Sequence, residues 1–400
     1  MKWLIGSIIF IAVIIIAASM DFFTARYVHG KKTRLSSYPV RRGHLQLITS
    51  GPDLFSHYFN DLYKAESSIH VLFYIVKKDR FSQLFFEILI DQARKGVKVR
   101  LLLDWFGSRE VSKKLIKQAR SAGVEVTFCH RPRLPFFFFS LQQRNHRKVT
   151  IIDGKIGYVG GFNVGKEYID LDPVLSPWRD YHLRVQGEGI ADLQTEFLLD
   201  WKQATGVCHL EDLSLFPILE NGPMFYRFFP TRGVNAEEEI LQLINQAEKR
   251  IFIGTPYFIP PEKLMEGLLK AIQRGIAVSI LVPNKSDHPI VKEASLQYLH
   301  RLLAVGGTVY QYEEGFFHAK VILIDGRICD IGTANFDYRS FRLNYEINCF
   351  IYNQEFIQEA ERIVQEDIDL SSRLSLEDLV DPPFSFRLKG WMGMLLKRFL

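Results

Sequence analysis

Two nine-residue stretches carry the same reactive side chains at the same spacing. His146-Arg147-Lys148-Val149-Thr150-Ile151-Ile152-Asp153-Gly154 is matched by His318-Ala319-Lys320-Val321-Ile322-Leu323-Ile324-Asp325-Gly326. In an extended chain residues i and i+2 face the same way, so each stretch offers an imidazole beside an ammonium. Around one phosphodiester, a neutral imidazole can attack phosphorus. The other, protonated, can give its proton to the departing alkoxide and then act as base for the incoming alcohol or water. Lys148, Lys320, Asn163 and Asn335 would donate to the nonbridging oxygens, where negative charge grows in the transition state. Such a site needs its two histidines in opposite protonation states, and carboxylates can hold each ring's tautomer. Asp180 and Glu346 follow the two stretches at comparable distances and are the candidates for that role.

A metal fits this pattern poorly. A lysine beside each histidine repels a cation, and no further ligand cluster accompanies the pairs, so neither a metal nor any other cofactor is expected. The four cysteines, Cys129, Cys208, Cys329 and Cys349, form no CxxC pair and read as small buried hydrophobes.

The elements that must position these groups also repeat. The first half reads as helix around Asp53 to Lys64, strand from Ile69, helix Phe81 to Arg94, strand Val97 to Leu103, helix Val111 to Ala122 and strand Val124 to Cys129. The second half replays this order as helix Glu237 to Lys249, strand Arg250 to Gly254, helix Glu262 to Arg274, strand Ile276 to Val282, helix His288 to Val305 and strand Thr308 to Tyr312. Each histidine stretch ends in Asp-Gly, which suits a tight hairpin into a short returning strand. Alternating strands and helices, repeated once over 400 residues, predict two pseudo-symmetric α/β sandwich domains, 45–210 and 211–400.

Three stretches stand outside the repeat. Trp3 to Met20 is almost wholly apolar, and about 18 residues at about 1.5 Å each just cross a bilayer's hydrocarbon core, so 1–20 reads as a transmembrane anchor. A cleaved signal peptide ending near Ala17-Ala18-Ser19 is the rival reading. Arg26, Lys31, Lys32, Arg34, Arg41 and Arg42 make 21–44 a basic linker and, by the positive-inside rule, put the C-terminal side in the cytoplasm. Net charge is +5, which favours an anionic partner; with an anchor present, that partner is an anionic membrane surface rather than nucleic acid. The first half has about a dozen residues more than the second before its histidine, including Phe136 to Phe139. That run reads as a buried strand or as a loop dipping into the bilayer that would serve as the acceptor's lipid entrance. Phe386 to Leu400 mixes basic with large apolar residues, as a docked terminal element or an interfacial tail would.

The doubled HxKxxxxDG pattern, followed by Gly160-Gly161-Phe162-Asn163 and Gly332-Thr333-Ala334-Asn335, resembles the phospholipase D superfamily. Trp178-Arg179-Asp180, Thr255 to Pro260, Pro283 to His288 and Asn335 to Phe341 look more narrowly like bacterial cardiolipin synthases, over roughly residues 45 to 400. The resemblance implies phospholipase D-like domains with His146, Lys148, Asp153, His318, Lys320 and Asp325 as the catalytic set. It also implies metal-free transfer between two phosphatidylglycerol molecules, giving cardiolipin and glycerol through a phosphatidyl-histidine, with His146 as the nucleophile. A hydrolytic phospholipase D or a related nuclease would use the same residues. Many of these synthases carry two hydrophobic N-terminal segments; this chain has one.

Overall fold

Each half carries helices whose apolar faces can only be buried on a sheet, and local signals fix where these helices begin and end. Helix Arg80–Arg94 begins at Asp79, whose carboxylate accepts the Ser82 amide at 2.8 Å, and stops before Gly96, held at φ +95°. Its counterpart Glu262–Gln273 stops before Gly275 at φ +87°. A computed structural model describes residues 2–33, 36–288, 290–379 and 389–393.

Strands of the first half lie in the order Trp178–Gly187, Ile156–Gly160, Val149–Ile152, Ser68–Phe73, Lys98–Asp104, Glu125–Cys129. In the second half Tyr345–Ile351, Ile328–Gly332, Val321–Ile324, Arg250–Gly254, Ala277–Pro283 and Thr308–Tyr312 repeat that order, with Ser371–Leu374 added at the edge. The halves join where Arg41–Ser50 pairs antiparallel with Met224–Arg232, Arg41 opposite Tyr226. The two-domain α/β reading is therefore the observed architecture. One buried cluster unites them, with Leu183 and Phe197 of the first half in the same core as Ile347 and Phe356 of the second.

Both Asp-Gly pairs form the expected hairpins: Asp153 and Gly154 have φ of +54° and +62°, Asp325 and Gly326 +55° and +66°. Two aligned positive φ angles are the type I′ geometry that matches strand twist.

The reading of 21–44 as a linker is overturned. The N-terminal helix runs without a break from Lys2 to Lys32, and the strand beginning at Arg41 is already part of the first sheet. The helix continues past the apolar run because Phe22 and Ala25, 1% and 2% exposed, find a docking face on Phe139 and Leu343. Asp21 accepts the Phe139 amide at 2.8 Å, Arg26 donates to the Tyr338 hydroxyl at 3.0 Å, and His29 Nε2 donates to the Arg232 carbonyl at 2.7 Å.

The buried-strand reading of Phe136 to Phe139 does not hold. Phe137–Gln142 is a short helix, with Phe139 buried against Phe22 and Phe137 exposed. Of Phe386 to Leu400 only 389–393 are described, as a helical turn with Gly390 and Gly393 against helix Val291–Leu303; the rest of that stretch lies outside the described residues. Cys129, Cys329 and Cys349 are buried as expected, whereas Cys208 is exposed.

Candidate active site

The two histidine stretches meet at the junction of the halves, and the meeting is a crossed one. His146 of the first half donates its amide to the Tyr345 carbonyl at 2.9 Å, and His318 of the second donates to the Arg179 carbonyl at 2.7 Å. Each therefore lies beside the strand that carries the other half's carboxylate. His146 Nδ1 is 3.0 Å from Glu346 Oε2, and His318 Nδ1 is 2.5 Å from Asp180 Oδ2. A carboxylate accepts only, so each Nδ1 is assigned the proton and each Nε2 is left with a free lone pair. Asp180 and Glu346 are thus brought to the histidines as expected, with partners exchanged between halves.

Both carboxylates are fully buried and held down in pKa. Burial pushes Glu346 up, but His146 and Lys148 more than offset it; Lys320 and His318 do the same for Asp180. The imidazoles move the other way. Burial lowers His146 against the pull of Glu346, and burial followed by Lys320 takes His318 down to about 4. Lys148 falls to about 7 and Lys320 to about 8, again chiefly through burial. The lysines sit behind the histidines. Lys148 Nζ donates to the His146 carbonyl at 2.8 Å, and Lys320 Nζ donates to the His318 carbonyl.

His146 and His318 share one cavity of about 610 Å³, which Asn163 and Asn335 also line. Asn163 Oδ1 accepts the Ile75 amide at 3.0 Å, while its amide nitrogen makes only a long 3.4 Å contact with the Tyr168 hydroxyl. Asn335 Nδ2 donates to Asp337 at 3.1 Å. Aromatic rings support the imidazoles: Tyr74 packs edge-on to His146 and Trp178 tilts over His318, both at 4.9 Å between centroids. Ile75, Phe106, Leu141, Ile259 and Val291 make much of the remaining wall apolar.

Asp153 and Asp325 do not belong to this site, which corrects their place in the catalytic set. Each lies past a four-residue strand, about 16 Å along the chain from its lysine at about 3.3 Å per residue. Asp153 accepts the amides of Glu66, Ser67 and Ser68, and Asp325 those of Glu248, Lys249 and Arg250. Those backbone donors hold both carboxyls below their ordinary pKa despite burial. Each aspartate fastens the outer end of its hairpin to the neighbouring strand.

Sequence reasoning missed Tyr74 and Thr333. Tyr74 directly follows strand Ser68–Phe73, whereas the register of the repeat sets Ile75 opposite Tyr257, so the repeat held no signal for it. Thr333 donates its hydroxyl to Glu346 Oε2 at 2.6 Å and takes the Ile347 amide at 2.9 Å. The first half has Gly161 at that position, where a Cβ would stand 1.9 Å from Asp180 Oδ1. Asp180 cannot yield, since Oδ1 takes the Tyr181 amide and Oδ2 holds His318. Gly161→Ala should therefore cost about 10²-fold or more in kcat, given losses of about 10⁴ when a carboxylate orienting a catalytic histidine is neutralised. Comparing kcat with the thermal midpoint checks this, and an unchanged kcat would show that the tilt of Asp180 does not matter.

Among the described residues one group has metal-ligand spacing, Asp104, Cys129 and His130. It suits a cation badly. Asp104 Oδ1 already takes the Phe106 and Gly107 amides, with the Arg144 guanidinium at 3.3 Å, and burial pushes the Cys129 thiol well up.

Comparison with known proteins agrees with this geometry. A family model described as cardiolipin synthase, PLD-like domain, matches residues 58–173 and 240–368. The minor cardiolipin synthase ClsB of Bacillus subtilis (strain 168) is 41% identical over 400 residues, all of both chains. The major cardiolipin synthase ClsA of the same strain is 40% identical over 365 residues, 89% of this chain and 75% of the relative. The crystal structure of phosphatidylserine synthase from Haemophilus influenzae Rd KW20 superposes with a TM-score of 0.72 over 94% of this chain and 99% of its own, at 15% identity, and so shares the fold. With both motif copies intact and a family model covering most of each half, the chain belongs to the cardiolipin synthase family built on the phospholipase D-like domain.

Proposed function

We propose that the chain transfers a phosphatidyl group between two phosphatidylglycerol molecules, giving cardiolipin and glycerol, at the cytoplasmic face of a bacterial membrane. The observation that carries this reading is the pair of buried histidines, each with Nδ1 on a carboxylate of the opposite half, facing one largely apolar cavity. His146 Nε2 attacks the donor phosphorus, forming a P–N bond as the P–O bond to glycerol breaks. His318 gives its proton to the departing glycerol oxygen, then takes one from the acceptor's hydroxyl as that oxygen displaces His146. The phosphodiester's own negative charge, arriving beside His318, favours the protonated imidazole that the acid step needs. Asn163 and Asn335 face the charge that grows on the nonbridging oxygens, and Lys148 and Lys320, behind the histidines and outside the cavity lining, favour it through their positive charge. The chemistry calls on no metal or nucleotide, since one phosphodiester replaces another.

Access from the bilayer supports a lipid substrate. Residues beyond Met20 are docked on the catalytic body, so only the apolar part before them can span, and its length of about 27 Å nearly matches the core. The short helix Phe137–Gln142 touches the N-terminal helix just past that apolar part through Phe139 and the cavity through Leu141 and Gln142. The site thus opens beside the membrane entry of the chain. Arg26, Lys31 and Lys32 against Lys2 orient the body to the cytoplasm.

Incubating membranes that contain the protein with labelled phosphatidylglycerol should yield cardiolipin and glycerol. Phosphatidic acid as the main product would replace transfer with hydrolysis. The pH profile follows from the lysines. Their folded pKa values of about 7 and about 8 lie below the ordinary 10.5, so the ammonium charges are lost as pH rises through that window. Consequently kcat/KM should fall between about pH 7 and 9, with kcat falling at higher pH because the bound phosphodiester stabilises both charges. A kcat/KM that stays flat to pH 9 would contradict a charge role for the lysines.

A further inference from the structure

A second cavity, of about 600 Å³, lies between the N-terminal helix and the segment 128–136, and shares no lining residue with the catalytic one. Past strand Glu125–Cys129, that segment belongs to the dozen residues by which the first half exceeds its repeat, so the fold itself does not require it. The cavity has three distinct surfaces. Its outer part carries Lys32, Arg131 and Arg133, none of which has an ion pair among the described residues; both arginines are exposed. Its wall is apolar, from Ala25, Val28, Phe136 and Phe139. Its inner part holds His130 and Asp200, and there three buried polar atoms lack a partner: both ring nitrogens of His130 and Oδ1 of Asp200. Buried polar atoms are nearly always hydrogen-bonded, so this group marks a place where a polar ligand belongs.

We infer that this cavity binds the headgroup of a second, non-reacting anionic phospholipid whose phosphate carries a polyol. The phosphate meets Lys32, Arg131 and Arg133, while the hydroxyls of a glycerol headgroup donate to Asp200 Oδ1 and exchange hydrogen bonds with His130. The start of an acyl chain lies along Phe136 and Phe139. The level is right: Ala25 is about 7 Å and Lys32 about 18 Å along the helix from Met20, at and just below the headgroup zone. The inference rests on the chain being a membrane-anchored enzyme of anionic lipids, though not on which product it makes.

The two cavities share a wall. Gln143 and Asn145 face the second, while Gln142, Arg144 and His146 face the catalytic one, so the alternating segment before His146 divides them.

The test is native mass spectrometry of the full chain in detergent with phosphatidylglycerol, in a His146→Gln background so that the lipid is not consumed. The chain should retain one lipid more than its Arg131→Gln/Arg133→Gln counterpart, in which binding of that lipid weakens at least about tenfold, as loss of charge-assisted contacts to phosphate does. With His146 intact, the double variant should keep its turnover of a short-chain phosphatidylglycerol within about twofold. Equal occupancy in the double variant overturns the site, and so does equal binding of phosphatidylcholine, which would reduce it to an apolar groove. Equal affinity for sn-glycerol 3-phosphate would assign it to a soluble phosphate ester and overturn the lipid. Collapse of turnover in the double variant would place the arginines in the catalytic site and overturn a separate one. Failure of the wild-type chain to make cardiolipin would refute the proposed reaction while leaving the binding result standing.

Discussion

A His318→Gln enzyme should lose about 10²- to 10⁴-fold in kcat on phosphatidylglycerol, the usual worth of a general acid, and recover most of the lost rate only in the first step, as a single burst, on a donor whose leaving group needs no proton. The reason lies in the division of labour between two nearly identical imidazoles. Both have Nδ1 on a carboxylate and Nε2 free, so the geometry equips both to attack; what separates them is which oxygen each faces. If His146 attacks, a nitrophenyl phosphatidyl ester bypasses His318 in the first step and fails at the second, because no base remains to deprotonate the acceptor. The phosphatidyl group should then accumulate on His146 and be found there by peptide mass spectrometry after acid-free digestion. His146→Gln should release no nitrophenol with the same donor. The converse pattern, with label on His318 in the His146→Gln enzyme, would assign the nucleophile to the second half. Near-normal turnover of phosphatidylglycerol by either variant would end the two-histidine mechanism.

The sequence carried the fold and the chemistry further than the assembly. Strands Arg250–Gly254 and Thr308–Tyr312 fall where hydrophobic pattern and flanking glycines place them, because a buried parallel strand has little freedom of register. The Asp-Gly hairpins were legible for a local reason, the two positive φ angles that few other residue pairs accept. The same pairs were misread as catalytic, since spacing along a strand does not reveal that its far end lies about 16 Å from the site. Exchange of Asp180 and Glu346 between the histidines was not legible at all. It depends on how the two sheets face one another, which no local pattern encodes. The N-terminal helix shows a similar limit: its apolar run ends at Met20, but Phe22, Ala25 and His29 share a face whose use becomes visible only once Phe139 lies against it. Four phenylalanines in a row have no period, so the short helix there is set by tertiary contact.

Arg147 shows most directly how the crossed arrangement is held, and its loss should be the most destabilising single change near the site. It is 1% exposed and stands between His146 and Lys148, at the position that Ala319 occupies in the second half. Its guanidinium donates to Glu196 at 2.8 Å and Asp200 at 3.0 Å within its own half. It also reaches the carbonyls of Glu346 at 3.0 Å and Thr231 at 3.1 Å in the other. One side chain thus joins the strand of the first histidine to the backbone of that histidine's carboxylate. Arg147→Met leaves Asp200 buried with only Asn145 donating to it, while Glu196 keeps Tyr38 and a 3.3 Å contact with Arg232. Breaking a buried pair from one side costs about 3 to 5 kcal/mol, most of it the stranded charge. For 400 residues, at about 2.1 cal/mol/K each, that lowers the thermal midpoint by about 5 °C. Adding Asp200→Asn removes the stranded charge and should restore more than half of the loss, while kcat stays low because the Glu346 carbonyl still lacks its donor. A midpoint unchanged in Arg147→Met would mean that the surrounding core absorbs the loss, and that the halves are held together by their shared apolar cluster alone.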